Sequence, residues 1–230
     1  TTGGGIALID EDGNVETLQA DRGLKNNWVN GLALDGRNRL WMGTTSGINC
    51  LSLDPGNPPP RSSQVANVTI FRKPGLLASY RNTTIYACNR IALPAAPGSK
   101  QTVETVWFSG YQNLYCFAEG SWFVFRTASG LPATFLDGIA FDSGGNLWVG
   151  TRDKGLYRTL APLNLAHLNE LQSKAEFDPV RAGERSGREI TAPVFGSVWS
   201  ESNGAPSNQI ETIACRDSLL LRLRIRCRRR

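Results

Sequence analysis

The chain has 230 residues, 40% apolar and 20% charged, with 24 Gly and 12 Pro. This composition excludes a disordered chain, and the frequent turns argue against a helix bundle. The formal net charge is +5, but residues 216–230 hold seven Arg and one Asp, so the first 215 residues are near neutral and a nucleic-acid partner is not expected. No run reaches the roughly 18 apolar residues that cross a bilayer. The five Cys (50, 88, 116, 215, 227) form no CxxC pair, and His167 is the single His, which excludes a Cys/His zinc site.

Taken in chain order, VNGLALD (29–35), RLWMGT (39–44) and GINCLSL (47–53) read as strands separated by tight turns. NVTIFRK (67–73) reads as a fourth strand after a Pro-rich stretch at 55–63. A second unit is expected to start at Gly75-Leu76. It runs through TIYACNRI (84–91), ETVWFSG (104–110), NLYCFAE (113–119) and SWFVFRTA (121–128). A third starts at Gly130-Leu131 and gives LDGIAFD (136–142), NLWVGT (146–151) and GLYRTL (155–160). Residues 161–190 interrupt it. Leu165, Leu168, Leu171 and Ala175 have helical spacing there, so the insertion is a short helix followed by a polar loop. A fourth unit starts at Gly204 and continues as QIETIAC (209–215).

These units are copies of one another. Residues 23–51 resemble 130–160, at an offset of 107 with no gap until the turn after the Thr, which matches Gly31 with Gly138, Asp35 with Asp142, and LWMGT with LWVGT. An Asp closes the first strand of both copies. Three residues later comes Asn38 or Gly145, residue types that tolerate positive φ. Trp41 and Trp148 share one strand position and are expected to pack between neighbouring copies. Four short strands joined by hairpins, in a repeat of about 40–50 residues with insertions, predict the four-stranded antiparallel blades of a β-propeller.

Residues 23–51 and 130–158 resemble the two-component regulator propeller repeat, whose pattern runs GL, an apolar strand ending in Asp, then G-x-LW-x-GT-x-x-GL. TTGGGIALID (1–10) looks like the end of a further copy. The resemblance implies an all-β, partial β-propeller over residues 1–215. It also implies a sensing role on the periplasmic or extracellular side of the membrane, in the context of hybrid histidine kinases. The family pattern fails at the end of the chain: Arg216 stands where Asp35 and Asp142 stand, and SLLLRLRIRCRRR follows. Residues 216–230 are therefore read as a basic tail, non-native or out of frame.

No nucleophile elbow or phosphate loop is present, and no His partners His167, so enzymatic activity and cofactors are not expected. Two residue sets are candidates for binding. In propellers the loops before the first strand and between the second and third gather on one face, which selects Asn27, Trp28, Thr45, Phe135, Arg152 and Lys154. Aromatic rings beside amide, hydroxyl and guanidinium groups suit a glycan or another small polar ligand. Asn30, Asp137 and Glu211 occupy matching first-strand positions and are expected to line the channel. The alternatives are a lyase or hydrolase with a metal at that channel, and a protein-interaction propeller. A homodimer and the remainder of the propeller are the other expected partners, with no membrane segment among these residues.

Overall fold

A computed structural model describes residues 3–60, 64–70, 73–81, 83–174, 189–205, 207–216 and 219–225. They form two compact units, Thr1–Arg90 and Ile91–Arg230. In the first unit, β1 (Ile6–Ile9) and β2 (Val15–Leu18) make a two-stranded antiparallel sheet. β3 (Val29–Leu34), β4 (Arg39–Thr44), β5 (Gly47–Ser52), β6 (Gln64–Ile70) and β7 (Lys73–Tyr80) make the first blade, in the order β3-β4-β5-β7-β6. Ile6 and Leu18 of the small sheet share a core with Val29, Met42, Leu51, Val68 and Leu77 of the blade. Burying apolar side chains of this size stabilises by about 1.5–3 kcal/mol each before chain entropy is counted.

The fourth strand differs from expectation. NVTI lies in β6, which is fifth and outermost, while β7 takes the fourth place by pairing Cys50 with Ala78 and Leu51 with Leu77. Burial explains the order. Leu77 and Ala78 are buried whereas Val65 of β6 is exposed, so the strand with more surface to hide takes the inner place. Gly75 and Leu76 are consequently inside a strand and start no blade. The starts at Gly23, Gly130 and Gly204 share a different geometry. Each ends a three-residue 3-10 turn, has φ near 90–100° (96°, 91° and 102°), and donates its amide three residues back, to Ala20, Thr127 and Glu201. That left-handed conformation is what a glycine supplies without strain.

The second blade is β8 (Ile85–Pro94), β9 (Thr102–Gly110), β10 (Leu114–Ala118) and β11 (Ser121–Phe125), as the alternation predicts. The third is β12 (Leu136–Phe141), β13 (Leu147–Thr151), β14 (Leu156–Thr159) and β16 (Phe195–Trp199). β17 (Ile210–Arg216) and β18 (Leu219–Ile225) pair as a separate two-stranded sheet. The chain is an all-β partial propeller with one α-helix among the described residues.

The insertion splits the third blade between β14 and β16 and lies along the second. Helix α1 (Leu165–Ser173) buries Leu165, Leu168 and Leu171, and Asn164 caps it by accepting the His167 amide at 2.9 Å. Ala175 lies outside the described residues. The Ala166 amide donates to the Ala95 carbonyl at 3.0 Å, and Gln172 Nε2 donates to the Trp122 carbonyl at 2.8 Å. β15 (Glu189–Ile190) then adds to the outer edge of the second blade, parallel to β11, with an ion pair from Glu189 to Arg126 at 3.0 Å.

The repeat motif has a physical reading in this geometry. Asp35 accepts from the Trp41 indole at 2.8 Å, from Arg39 Nε at 2.7 Å and from two turn amides, tying the first turn to the second strand. Asp142 does the same for Trp148, also at 2.8 Å, and Asn146. In the second blade Thr105 replaces the Asp and accepts from the Trp107 indole at 2.8 Å. Trp107 packs against Phe141 of the third blade, and Trp148 shares a core with Ile210 and Ile213 of β17. The glycine of LWxGT is where the next blade's first strand comes close: a Cβ on Gly43 would sit 2.5 Å from Ile85 Cγ2, and one on Gly150 would sit 2.7 Å from Ile210 Cγ2.

Ser109 holds that glycine position in the second blade. Its hydroxyl is buried and is the one buried side-chain polar atom without a hydrogen-bond partner among the described residues. An unpaired buried hydroxyl costs about 1–3 kcal/mol. Ser109→Ala is expected to raise stability by about 1 kcal/mol in a urea titration; a loss would mean that the hydroxyl has a partner after all.

Candidate functional site

The third blade brings four side chains together at one end of its first strand. Phe135 precedes β12, Asp137 lies near its start, and Arg152 follows β13, which pairs with β12. The Arg152 amide donates to the Phe135 carbonyl at 3.1 Å, which holds the two residues side by side. Arg152 then grips Asp137 with two bonds, Nε to Oδ2 at 3.0 Å and Nη2 to Oδ1 at 2.7 Å. This side-on pairing orients the guanidinium, and it lies over the Phe135 ring, 4.1 Å from the ring centre. The fourth side chain is Tyr111, from the loop after β9. Its ring centre is 4.8 Å from that of Phe135, tilted by 53°.

The cluster is a pair of aromatic rings, one of them covered by a fixed cation. Tyr111 is 44% exposed and the Arg152 side chain 42%, while the Asp137 side chain is only 12% exposed. Thr134 donates its hydroxyl to Asp153 at the rim. Lys154 is exposed in the β13–β14 turn, where its amide donates to Thr151 Oγ1 at 2.9 Å. Such a surface can stack on the apolar face of a ring and bond polar groups at its edge.

The first blade carries the matching set. Trp28 is 52% exposed, and its carbonyl accepts the Thr45 amide at 3.1 Å, the counterpart of the Phe135–Arg152 bond. Asn26 and Ser46 bond to each other beside it, at 3.2 Å. Asn27 turns away: its Oδ1 accepts the Ala20 amide at 2.7 Å and holds the 3-10 turn before Gly23. Asn30 is exposed and donates to the Ile85 carbonyl at 2.7 Å. Glu211 takes its place on β17, but its side chain lies outside the described part.

Sequence reasoning missed Tyr111, although a signal existed. Tyr111 follows Trp107 by four residues, as Thr45 follows Trp41 and Arg152 follows Trp148. The degenerate VWFSG hides that register.

A second concave feature lies at the other end of the third blade's first strand. An open groove of about 990 Å³ is lined by Leu93, Pro94, Phe141, Pro162, Leu163 and His167, among others. His167 is half-buried on its wall. Elsewhere, burial pushes the thiols of Cys50, Cys88 and Cys116 far up, which keeps them protonated and poorly nucleophilic at neutral pH. Among the described residues no three His, Cys, Asp or Glu side chains come together as a metal-ligand set.

Residues 23–46 match the family described as two component regulator propeller. Comparison with curated proteins finds no match. Among solved structures, the chain is similar to the extracellular domain of a putative hybrid two component system from B. thetaiotaomicron. The identity is 17% and the TM-score 0.53, over 93% of this chain and 22% of that one. A second such extracellular domain from the same organism is 16% identical with a TM-score of 0.48, over 92% and 22% of the two chains. The chain thus spans about a fifth of the length of these structures, at 22% of each. Residues 23–46 are thus similar to the two component regulator propeller family, and the fold is similar to that of the first of these extracellular domains.

Proposed function

We propose that this chain is part of the ligand-sensing propeller of a two-component-type receptor, working outside the cytoplasm and by binding alone. The Tyr111–Phe135–Arg152–Asp137 cluster carries this reading. Asp137 orients Arg152 over the half-buried Phe135, and Tyr111 stays exposed beside them. That division of labour suits recognition of a small polar ligand, a glycan in first place: rings cover C–H faces while the guanidinium and the Lys154 ammonium bond hydroxyl or acid groups. The signal would travel as a reorientation of the propeller, passed to a membrane-spanning segment elsewhere in the receptor.

Calorimetric titration with a panel of neutral and acidic oligosaccharides tests this. One sugar class should bind, and Phe135→Ala or Arg152→Ala should each weaken it about 10- to 100-fold, as loss of one stacking ring or one charge-assisted bond predicts. Thermal unfolding should stay within a few degrees of the parent chain. Binding that both variants retain would place the ligand elsewhere, and no binding across the panel would remove the glycan reading.

A further inference from the structure

We propose that the groove at the far end of the third blade's first strand binds a small organic cation, a protonated amine carried on an apolar or aromatic body. This groove is separate from the Tyr111–Phe135–Arg152 cluster. Phe135 precedes β12 and Phe141 ends it, so the two places are about 20 Å apart along the strand.

Two departures from the repeat build the groove. β8 has ten residues and β9 nine, where the matching strands β3 and β4 have six each and β12 and β13 have six and five. The extra length carries a hairpin tip, closed by the Ala95 amide donating to the Gln101 carbonyl at 2.9 Å. The insertion after β14 supplies the other wall. The Leu163 amide donates to the Gly145 carbonyl at 2.8 Å, and the Ala166 amide to the Ala95 carbonyl at 3.0 Å. The start of α1 is thus tied at once to the turn of the third blade and to the hairpin tip of the second. Walls fixed by backbone bonds are in place before a ligand arrives, which lowers the cost of binding. The volume, about 990 Å³, is at the upper end for a small-molecule site.

The lining selects the ligand. Leu93, Pro94, Phe141, Pro162 and Leu163 make much of it apolar. Its ionisable side chains are Asp142, His167 and Glu170, with no Lys or Arg among the described residues that line it. Asp142 decides the sign. In the first blade the carboxylate at this repeat position, Asp35, is paired with Arg39. Among the described residues Asp142 has neutral donors alone, the Trp148 indole, the Asn146 side chain and turn amides. Burial raises its pKa, but those bonds outweigh it, and the carboxylate stays ionised at neutral pH. Glu170 is held ionised by the bond from Lys174, but both side chains of that pair are exposed, so it contributes little.

A half-buried charge that neutral groups orient without cancelling, beside an apolar wall, is complementary to a cation on an apolar body. Phe141 adds to this. Its ring is half-buried, is backed by Trp107 at 5.5 Å between ring centres, and offers an aromatic surface that also favours a cation. An anion would meet two carboxylates, and a neutral ligand would leave the charge of Asp142 unmatched.

Titration of the 230-residue chain with tryptamine tests this by amide and indole NMR, with tryptophol and indole-3-propionate as neutral and anionic counterparts of similar shape. Tryptamine should bind with a Kd of about 1 mM or tighter. It should move the Trp148 indole N–H and the amides of Asn146, Leu163 and Ala166. Tryptophol should bind at least about tenfold more weakly, and indole-3-propionate more weakly still. Ala166→Trp puts a large ring into the groove from an exposed position, and should abolish binding with little change in thermal unfolding. Asp142→Asn keeps an acceptor for the Trp148 indole and should bring tryptamine down to the affinity of tryptophol. Equal affinities of tryptamine and tryptophol for the parent chain overturn the proposal, since the charge would then count for nothing. Binding that survives Ala166→Trp, or shifts confined to other residues, would place the amine elsewhere and overturns it too. No binding of tryptamine at about 10 mM does the same. The comparison of the three ligands on the parent chain stands even if Asp142→Asn fails to fold.

Discussion

Asp35→Ala is expected to cost about 3–5 kcal/mol of folding stability, the range for removing one partner of a buried ion pair. The Asp35 side chain is 1% exposed and that of Arg39 is 9%. Without the carboxylate, the guanidinium, the Trp41 indole and two turn amides all lose an acceptor at once. Asp142→Ala should cost less, about 1–2 kcal/mol, because Asp142 is half-buried and faces Asn146 where Asp35 faces Arg39. Urea unfolding of the two variants checks the difference, and equal losses would mean that the ion pair contributes nothing beyond the shared indole bond.

The same carboxylates set the acid response. Burial alone would raise the pKa of Asp35, but the bonds from Trp41 and Arg39 outweigh it, and the pKa falls below the usual carboxylate range. Asp142 is lowered for the same reasons, with Trp148 and Asn146 as donors. A lowered folded pKa means that the unfolded chain binds the proton first. The contribution to stability is therefore complete above the unfolded value of about 3.9 and is lost as pH falls through the folded value. Stability should drop below about pH 4, and Asp35→Asn should flatten that drop.

Gly43→Ala is the second large effect, expected at about 1–3 kcal/mol from overpacking. A Cβ there would lie 2.5 Å from Ile85 Cγ2 and 3.1 Å from Ile85 Cβ, and a branched residue held within a strand cannot swing aside. The strain is local, so shortening the neighbour should relieve it. In a double-mutant cycle, Gly43→Ala with Ile85→Ala should destabilise by clearly less than the sum of the single changes. Additive losses would show that the methyl group is accommodated without touching Ile85.

The blades were legible because their chemistry is periodic. Asp35, Trp41 and Gly43 recur as Asp142, Trp148 and Gly150, and each does the same physical work in both copies. The left-handed residues Asn38 (φ 55°) and Gly145 (φ 81°) fall where the turn chemistry put them. Legibility ended where a substitution kept the work and changed the letters. Thr105 still accepts from Trp107, but no Asp marks it, and the second copy's start was set at Gly75, inside β7. The choice between β6 and β7 for fourth place turned on burial, which no local pattern encodes. At the site, Phe135, Arg152 and Asp137 were each named, yet the clasp between the last two was not readable. It depends on the β12–β13 register, which sets Asp137 beside Arg152 across the hairpin. Tyr111 needed that register carried into the most degenerate copy.

The insertion also has a consequence for the order in which the molecule assembles. β14 ends at Thr159 and its partner β16 begins at Phe195, so their pairing closes a long loop. Closing such a loop costs entropy that only later contacts offset, and distant pairings of this kind slow folding. Here the loop is shortened in effect, because helix α1 and β15 dock on the second blade before the chain returns. The second blade, made of four strands in direct succession, is thus the expected platform, and the third blade completes itself only after its own insertion has found that neighbour. Refolding should show a fast phase for β8–β11 followed by a slower one in which β16 becomes protected.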